Sequence, residues 1–270
     1  MNRIKTKALD RGRLIVNSDF ERLLLENDLG TFDAIMRFSG GRIVKKALKE
    51  RYTTKITLDS QDGAVNCFLK RYLRSPITEY FKQIIRLTRP IFGARNEWEA
   101  LVYLNRLGVP TAVPVAYGEC QGRSFTMTLA IENIIRACDW FEKFQPDSGE
   151  AVRVRRKLLV EELARIVRKM HDSGINHQDL YLCHFLVRFE GDVPRVFIID
   201  NQRVMVHSGS LPERWRVKDL AQFCFSASCL TKEELEYFFE KYGVLHDGHL
   251  IAKIFRKKEK IEKHTIKNKL

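Results

Sequence analysis

His177-Gln178-Asp179-Leu180, followed by His184, sets a carboxylate and two imidazoles within eight residues. Twenty-one residues past Asp179, the apolar run Val196-Phe197-Ile198-Ile199 ends on a second acid, Asp200. Transfer of a phosphoryl group from ATP to an alcohol needs one carboxylate to orient and deprotonate the acceptor hydroxyl. It needs a second to hold Mg²⁺ against the phosphates. Asp179 is the candidate base and Asp200 the candidate metal ligand. A single Asp in a loop usually does no more than cap a turn, so the pairing carries the weight.

Lys70, in Cys67-Phe68-Leu69-Lys70-Arg71, lies on a β-like run upstream. A lysine on such a strand can bind the α- and β-phosphates when a helix glutamate holds it. Glu97 is the candidate partner: Ala100, Leu101 and Leu104 follow at three, four and seven residues, so it flanks a core-facing stripe. Glu99 points elsewhere and is the fallback. An imidazole is a poor ligand for Mg²⁺, so His184 is expected to hydrogen-bond a phosphate or Asp200.

The elements that must position these residues follow from periodicity and breakers. Ser18 to Gly30 reads as a short helix with a glycine stop. Arg42–Ala47, Thr53–Leu58 and Val65–Tyr72 read as strands, the last two joined at Asp62-Gly63. Ile77, Tyr80, Phe81, Ile84 and Ile85 form the stripe of an amphipathic helix. A helix follows over Arg95 to Leu107, then strands Val113–Tyr117 and Ser124–Ile131. Val152–Ser173 is a long helix with Gly174 as a left-handed cap. Phe185–Phe189 and Arg195–Ile199 pair as a hairpin across Glu190-Gly191-Asp192. The fold class is therefore α+β, two-lobed: a β-rich N-lobe over 1–131, and an α-helical C-lobe over 132–270.

Composition bounds the partners. The net charge of +13 favours a polyanion: nucleic acid, an anionic membrane or a phosphorylated substrate. No module with clustered basic and aromatic residues is evident, so nucleic acid is not expected. No apolar run reaches 18 residues, and the basic start, Met1 to Arg13, lacks the apolar core of a secretory signal. Six cysteines without C-x-x-C spacing suit scattered reduced thiols. The tail from Lys253 to Leu270 carries eight Lys/Arg against two Glu. It and the Ile77–Ile85 helix, with Lys82 and Arg86, are candidates to lie on an anionic membrane; the competing reading of the tail is a solvated, partly disordered end.

The motif set is similar to the protein kinase signature H-R-D-L-x-x-x-N with a downstream metal-binding Asp. Gln178 replaces the arginine and His184 the asparagine. No G-x-G-x-x-G precedes Lys70; Ser39-Gly40-Gly41 reads as a turn, leaving Lys49-Glu50-Arg51-Tyr52 to cover the phosphates. From about Gly40 to Ser228 the chain more specifically resembles the lipopolysaccharide core heptose kinases. The likeness lies in Asp179-Leu180-Tyr181-Leu182-Cys183-His184-Phe185, Gly93-Ala94-Arg95-Asn96-Glu97-Trp98-Glu99-Ala100 and Trp215-Arg216-Val217-Lys218-Asp219-Leu220. That resemblance implies a protein-kinase-like fold, use of ATP and Mg²⁺, and phosphorylation of an inner-core heptose at the cytoplasmic face of the inner membrane. It maps Asp179 onto the base, Asp200 onto the metal ligand and Lys70 onto the ATP lysine. Asp219 falls on the helix aspartate that braces the catalytic loop.

Overall fold

The computed structural model describes residues 4–48, 51–73 and 93–267. The Ile77–Ile85 helix, and Lys49-Glu50 of the phosphate-covering connection, lie outside the described residues. The chain divides into two compact units: Met1–Gly108 with Ala112–Ile131, and Val109–Thr111 with Glu132–Leu270.

The first unit is built on a seven-stranded antiparallel sheet in the order β1-β2-β6-β7-β5-β4-β3. Its strands are β1 (Thr6–Leu9), β2 (Leu14–Asn17), β3 (Arg42–Leu48), β4 (Arg51–Leu58), β5 (Val65–Tyr72), β6 (Pro114–Cys120) and β7 (Arg123–Leu129). Two-residue periodicity decides which side chains of β5 meet the core. Cys67 and Leu69 are fully buried with Ile56, Val115, Phe125 and Met127. Lys70 and Tyr72 therefore share the opposite face. The β4–β5 hairpin forms with Leu58 paired to Val65, and Gly63 takes φ 110° within its turn.

Three sequence expectations change in this unit. The Ser18–Gly30 helix is shorter: α1 spans Glu21–Glu26, and the left-handed residue after it is Asp28 (φ 58°), not Gly30. An Asp tolerates that conformation, so glycine was not needed as the stop. The hairpin β1–β2 and the helix α2 (Phe32–Arg37) were not anticipated; Phe32 and Ile35 are fully buried against the sheet. Arg51 and Tyr52 belong to β4, paired with Tyr72 and Arg71, and so are not part of a covering loop. Helix α3 (Arg95–Leu107) packs on β6 and β7, and Gly108 caps it at φ 67°.

The second unit holds α4 (Ala137–Lys143), α5 (Glu150–Asp172), α6 (Glu213–Ser226), α7 (Lys232–Tyr242) and α8 (Gly248–Lys267). Two small sheets accompany them. One is β8 (Ile135–Arg136), β10 (Phe185–Glu190) and β11 (Val193–Ile198); the other is β9 (Ile175–Asn176) with β12 (Met205–Val206). The core of α5 runs through Leu159, Leu163, Val167 and Met170, all fully buried at helical spacing. Arg156, 1% exposed, ties three helices: its guanidinium donates to both Glu234 oxygens on α7 (2.6 and 2.7 Å), and to the Phe141 and Phe144 carbonyls at the end of α4.

Through Lys267 the basic tail is helical rather than a disordered end. Residues 248–267 form α8, which packs along α6 with Leu250 and Ile254 buried. Burying each such aliphatic side chain contributes roughly 1.5–3 kcal/mol, enough to hold a helix whose other face is charged.

Gly174 takes φ 72° after α5, as the spacing predicts. A Cβ there would also meet the Gly209 carbonyl oxygen at 2.5 Å. Gly174→Ala is therefore expected to destabilise by about 1–3 kcal/mol, read as a lower urea midpoint at unchanged slope.

Candidate functional site

In the first unit, Lys70 Nζ donates to Glu97 Oε1 at 2.8 Å and Oε2 at 3.1 Å. The Tyr72 hydroxyl donates to Glu97 Oε2 at 2.9 Å. Glu97 and Tyr72 are buried and Glu99 is exposed, so the fallback is set aside. Tyr72 was missed in the sequence, although its place two residues after Lys70 on a strand puts both on one face. The result is an ammonium held at one end by a buried carboxylate, which the tyrosine hydroxyl in turn fixes. An oxygen-rich anion is its natural second partner.

Glu97→Gln keeps the shape but halves the charge-assisted contacts on Lys70. A buried hydrogen bond to a charged group is worth about 1.5–3 kcal/mol, so a ten- to hundredfold higher KM for ATP is expected, with acceptor KM unchanged.

In the second unit, the catalytic-loop candidates are pinned by Asp219, which is fully buried on α6. Its Oδ2 accepts the His177 N–H at 2.6 Å and its Oδ1 the Gln178 N–H at 2.9 Å. Behind it, His171 Nε2 lies 3.4 Å away, and His171 Nδ1 contacts the Tyr242 hydroxyl at 2.7 Å. Gln178 adopts φ 68°, a left-handed conformation in a non-glycine residue. The two bonds to Asp219 hold that turn and direct Asp179 away from the core.

His184 joins the two acids. Its Nδ1 bonds the Asp179 backbone carbonyl at 2.8 Å, and its Nε2 lies 3.8 Å from Asp200 Oδ2. The expected hydrogen bond to Asp200 is thus an ion-pair approach, and the short bond goes to the Asp179 carbonyl. A carbonyl only accepts, so Nδ1 carries a proton and Nε2 faces the acid. Burial disfavours the His184 cation, but Cys183, the Asp179 carbonyl and the Asp200 charge outweigh it and hold its pKa above the ordinary imidazole value. The hydrogen bond with His184 draws the neighbouring Cys183 thiol down.

His177 behaves oppositely: burial pulls its pKa below the ordinary imidazole value, against the charges of Asp219, Asp179 and Asp200. Its Nε2 meets the Ile199 carbonyl at 3.1 Å, one residue before Asp200. The motif histidine is thus a strut between the two loops.

Asp200 has φ 63°. Two contacts set this turn. Thr111 Oγ1 donates to the Ile198 carbonyl at 2.6 Å and accepts from Asn201 Nδ2 at 2.9 Å. Gln202 Nε2 donates to Asp200 Oδ1 at 2.6 Å. Oxygen donors of this kind suit Mg²⁺, which kinase sites bind through one or two carboxylates and the nucleotide phosphates; the imidazole of His184 does not.

Two cations beside Asp179 have no role assigned from the sequence. Arg203 Nε lies 3.4 Å from Asp179 Oδ2. Lys218, half-buried next to Asp219 on α6, donates to Gln178 Oε1 at 3.4 Å and rests over the Trp215 ring. Arg203 lies outside the signature positions and Lys218 within the Trp215–Leu220 motif, and only the fold brings either to the loop.

Comparison with known proteins bears on the whole chain. The model of the lipopolysaccharide kinase (Kdo/WaaP) family matches residues 40–242. The chain is 33% identical over 271 residues to the lipopolysaccharide core heptose(I) kinase WaaP of Pseudomonas aeruginosa, covering 92% of this chain and 96% of that one. It is 31% identical over 235 residues to the WaaP of Escherichia coli, covering 80% and 88%. A solved structure described as WaaP in complex with acyl carrier protein superposes with a TM-score of 0.70 at 30% identity, over 92% of this chain and 98% of that one. The fold is protein-kinase-like, and a match over residues 40–242 together with these relatives establishes that the chain belongs to the lipopolysaccharide kinase (Kdo/WaaP) family.

Proposed function

We propose that this kinase transfers the γ-phosphoryl group of ATP to a heptose hydroxyl in the inner core of lipopolysaccharide, with Asp179 as base and Asp200 as the carboxylate for Mg²⁺. The supporting observation is His184, one ring contacting the Asp179 carbonyl and facing the Asp200 carboxylate. The acceptor hydroxyl gives its proton to Asp179 as its oxygen forms the bond to the γ-phosphorus. The bridging P–O bond breaks, and ADP leaves with the electron pair. Mg²⁺, when bound, offsets charge on the phosphate oxygens. Lys70, held by Glu97, binds the α- and β-phosphates, and His184 donates to a phosphate oxygen.

The acceptor class follows from likeness to relatives named core heptose(I) kinases. Likeness to the complex with acyl carrier protein adds such a carrier as a candidate partner. No helix among the described residues is long and apolar enough to cross a membrane. The charged face of α8 is suited to an anionic surface at the cytoplasmic side of the inner membrane, where a glycolipid acceptor would be met.

The test is incubation with γ-labelled ATP and dephosphorylated core lipopolysaccharide, beside Asp179→Ala. Label recovered as heptose phosphate with the parent protein alone supports the reading. Equal transfer by both proteins, or label on lipid A only, ends it.

A further inference from the structure

We propose that Arg203 and Lys218 form an anion subsite beside Asp179 that binds a phosphate or carboxylate carried by the acceptor close to its reacting hydroxyl. This rests on the kinase reading above and narrows its substrate: the acceptor must be anionic at that point.

Both inner cations are under-used where they stand. Arg203 approaches Asp179 through Nε alone, at 3.4 Å, and that is its only ion pair among the described residues. Its side chain is 39% exposed, so the paired terminal nitrogens of the guanidinium remain available. That fork matches the oxygens of a carboxylate or phosphate. The Lys218 ammonium has three protons and one long hydrogen bond, to an uncharged amide oxygen. Burial pulls its pKa down, against the charges of Asp219 and Asp179, while Arg203 and Lys257 lower it further. An incoming anion would relieve that strain on both cations at once.

The surroundings direct them to a ligand rather than to each other's relief. The nearby carboxylates are committed: Asp219 accepts two backbone N–H groups, and Glu213 on the same helix takes Lys253 of α8 at 2.5 Å. Asp179 alone cannot balance these two charges. Transfer of Arg203 to an acceptor anion would release Asp179 when the hydroxyl arrives.

The test compares two acceptors with the full-length protein. One is delipidated core oligosaccharide freed of its heptose phosphates with its carboxylates intact; the other is the same oligosaccharide with those carboxylates reduced to alcohols. The expected KM for the intact form is about tenfold lower, equivalent to about 1.4 kcal/mol. Arg203→Gln and Lys218→Gln should bring the two KM values together with ATP KM unchanged, and Lys218→Arg should keep the preference. A second arm measures binding to vesicles of phosphatidylcholine and phosphatidylglycerol.

Equal KM values in the parent protein overturn the proposal. So do variants that lose kcat equally on both acceptors, which would mark the cations as braces of the loop. Variants that lose vesicle binding while keeping the acceptor preference assign the charges to lipid headgroups and also overturn it. A parent protein that phosphorylates neither oligosaccharide defeats the kinase reading and this proposal together, a result recognisable without any variant.

Discussion

Asp179→Asn should lower kcat by about three orders of magnitude, the middle of the range that a positioned acid–base group supplies. Asparagine has nearly the same shape and accepts a hydrogen bond, but cannot take the acceptor's proton at neutral pH. The loop itself should survive. Its anchors are the backbone N–H groups on Asp219 and the Asp179 carbonyl on His184, none of which uses the substituted carboxylate. The substitution weakens one side-chain ion pair, with Arg203 at 3.4 Å; both groups are partly exposed, and such a pair is worth at most about 1 kcal/mol. Nucleotide affinity should therefore be unchanged and the thermal midpoint nearly so. Single-turnover transfer with labelled ATP, nucleotide titration and calorimetry read the three quantities. A variant within tenfold of the parent would leave Asp179 without the role of base.

How much of this was legible beforehand depends on whether a residue's position is set locally or by distant elements. Lys70 and Glu97 could be paired from sequence because strand and helix periodicities each assign a face, and both faces were right. Tyr72 follows from the same rule and was overlooked. The helix aspartate Asp219 was legible through its motif, and its two bonds to the loop match the brace that the resemblance implies.

The approach of Arg203 and Lys218 to the loop was not legible, although Lys218 lies in the Trp215–Leu220 motif. One follows a left-handed turn at Asp200, and the other reaches across from a helix about forty residues beyond the loop. No periodicity connects them. The fate of the tail was hidden for a related reason. Ile254 and Leu250 are spaced as a helix stripe, but what they bury against is α6, and the surrounding lysines masked so thin a stripe. The left-handed Asp28 shows the converse error: a nearby glycine attracted the stop signal, while the chain used an aspartate two residues earlier.

Asp219→Ala should do more damage than any substitution in the loop it holds, and of a different kind. Removing this carboxylate leaves the His177 and Gln178 N–H groups buried without acceptors, and takes from His171 its 3.4 Å partner. Breaking a buried charged interaction from one side typically costs about 3–5 kcal/mol, a large share of the roughly 5–15 kcal/mol that holds a folded protein together. Gln178 adds to this. Its φ of 68° is unfavourable for a side-chain-bearing residue by about 1–2 kcal/mol, and the bond to Asp219 is what offsets it. Without that bond the turn relaxes and Asp179 shifts, and displacement of about 1 Å at a reacting group can cost about a hundredfold in rate.

Asp219→Asn should fall between Asp219→Ala and the parent, since one amide oxygen can still accept while its NH₂ faces a donor. The predicted signature is thus a joint loss, with stability and kcat falling in the order parent, Asn, Ala. In Asp179→Asn, by contrast, kcat falls alone. Urea unfolding gives the first quantity and single-turnover transfer the second, while hydrogen exchange at the His177 and Gln178 amides reports whether the brace has opened. If Asp219→Ala kept parental stability, or lost activity while those two amides stayed protected, the loop would be held by something other than this carboxylate.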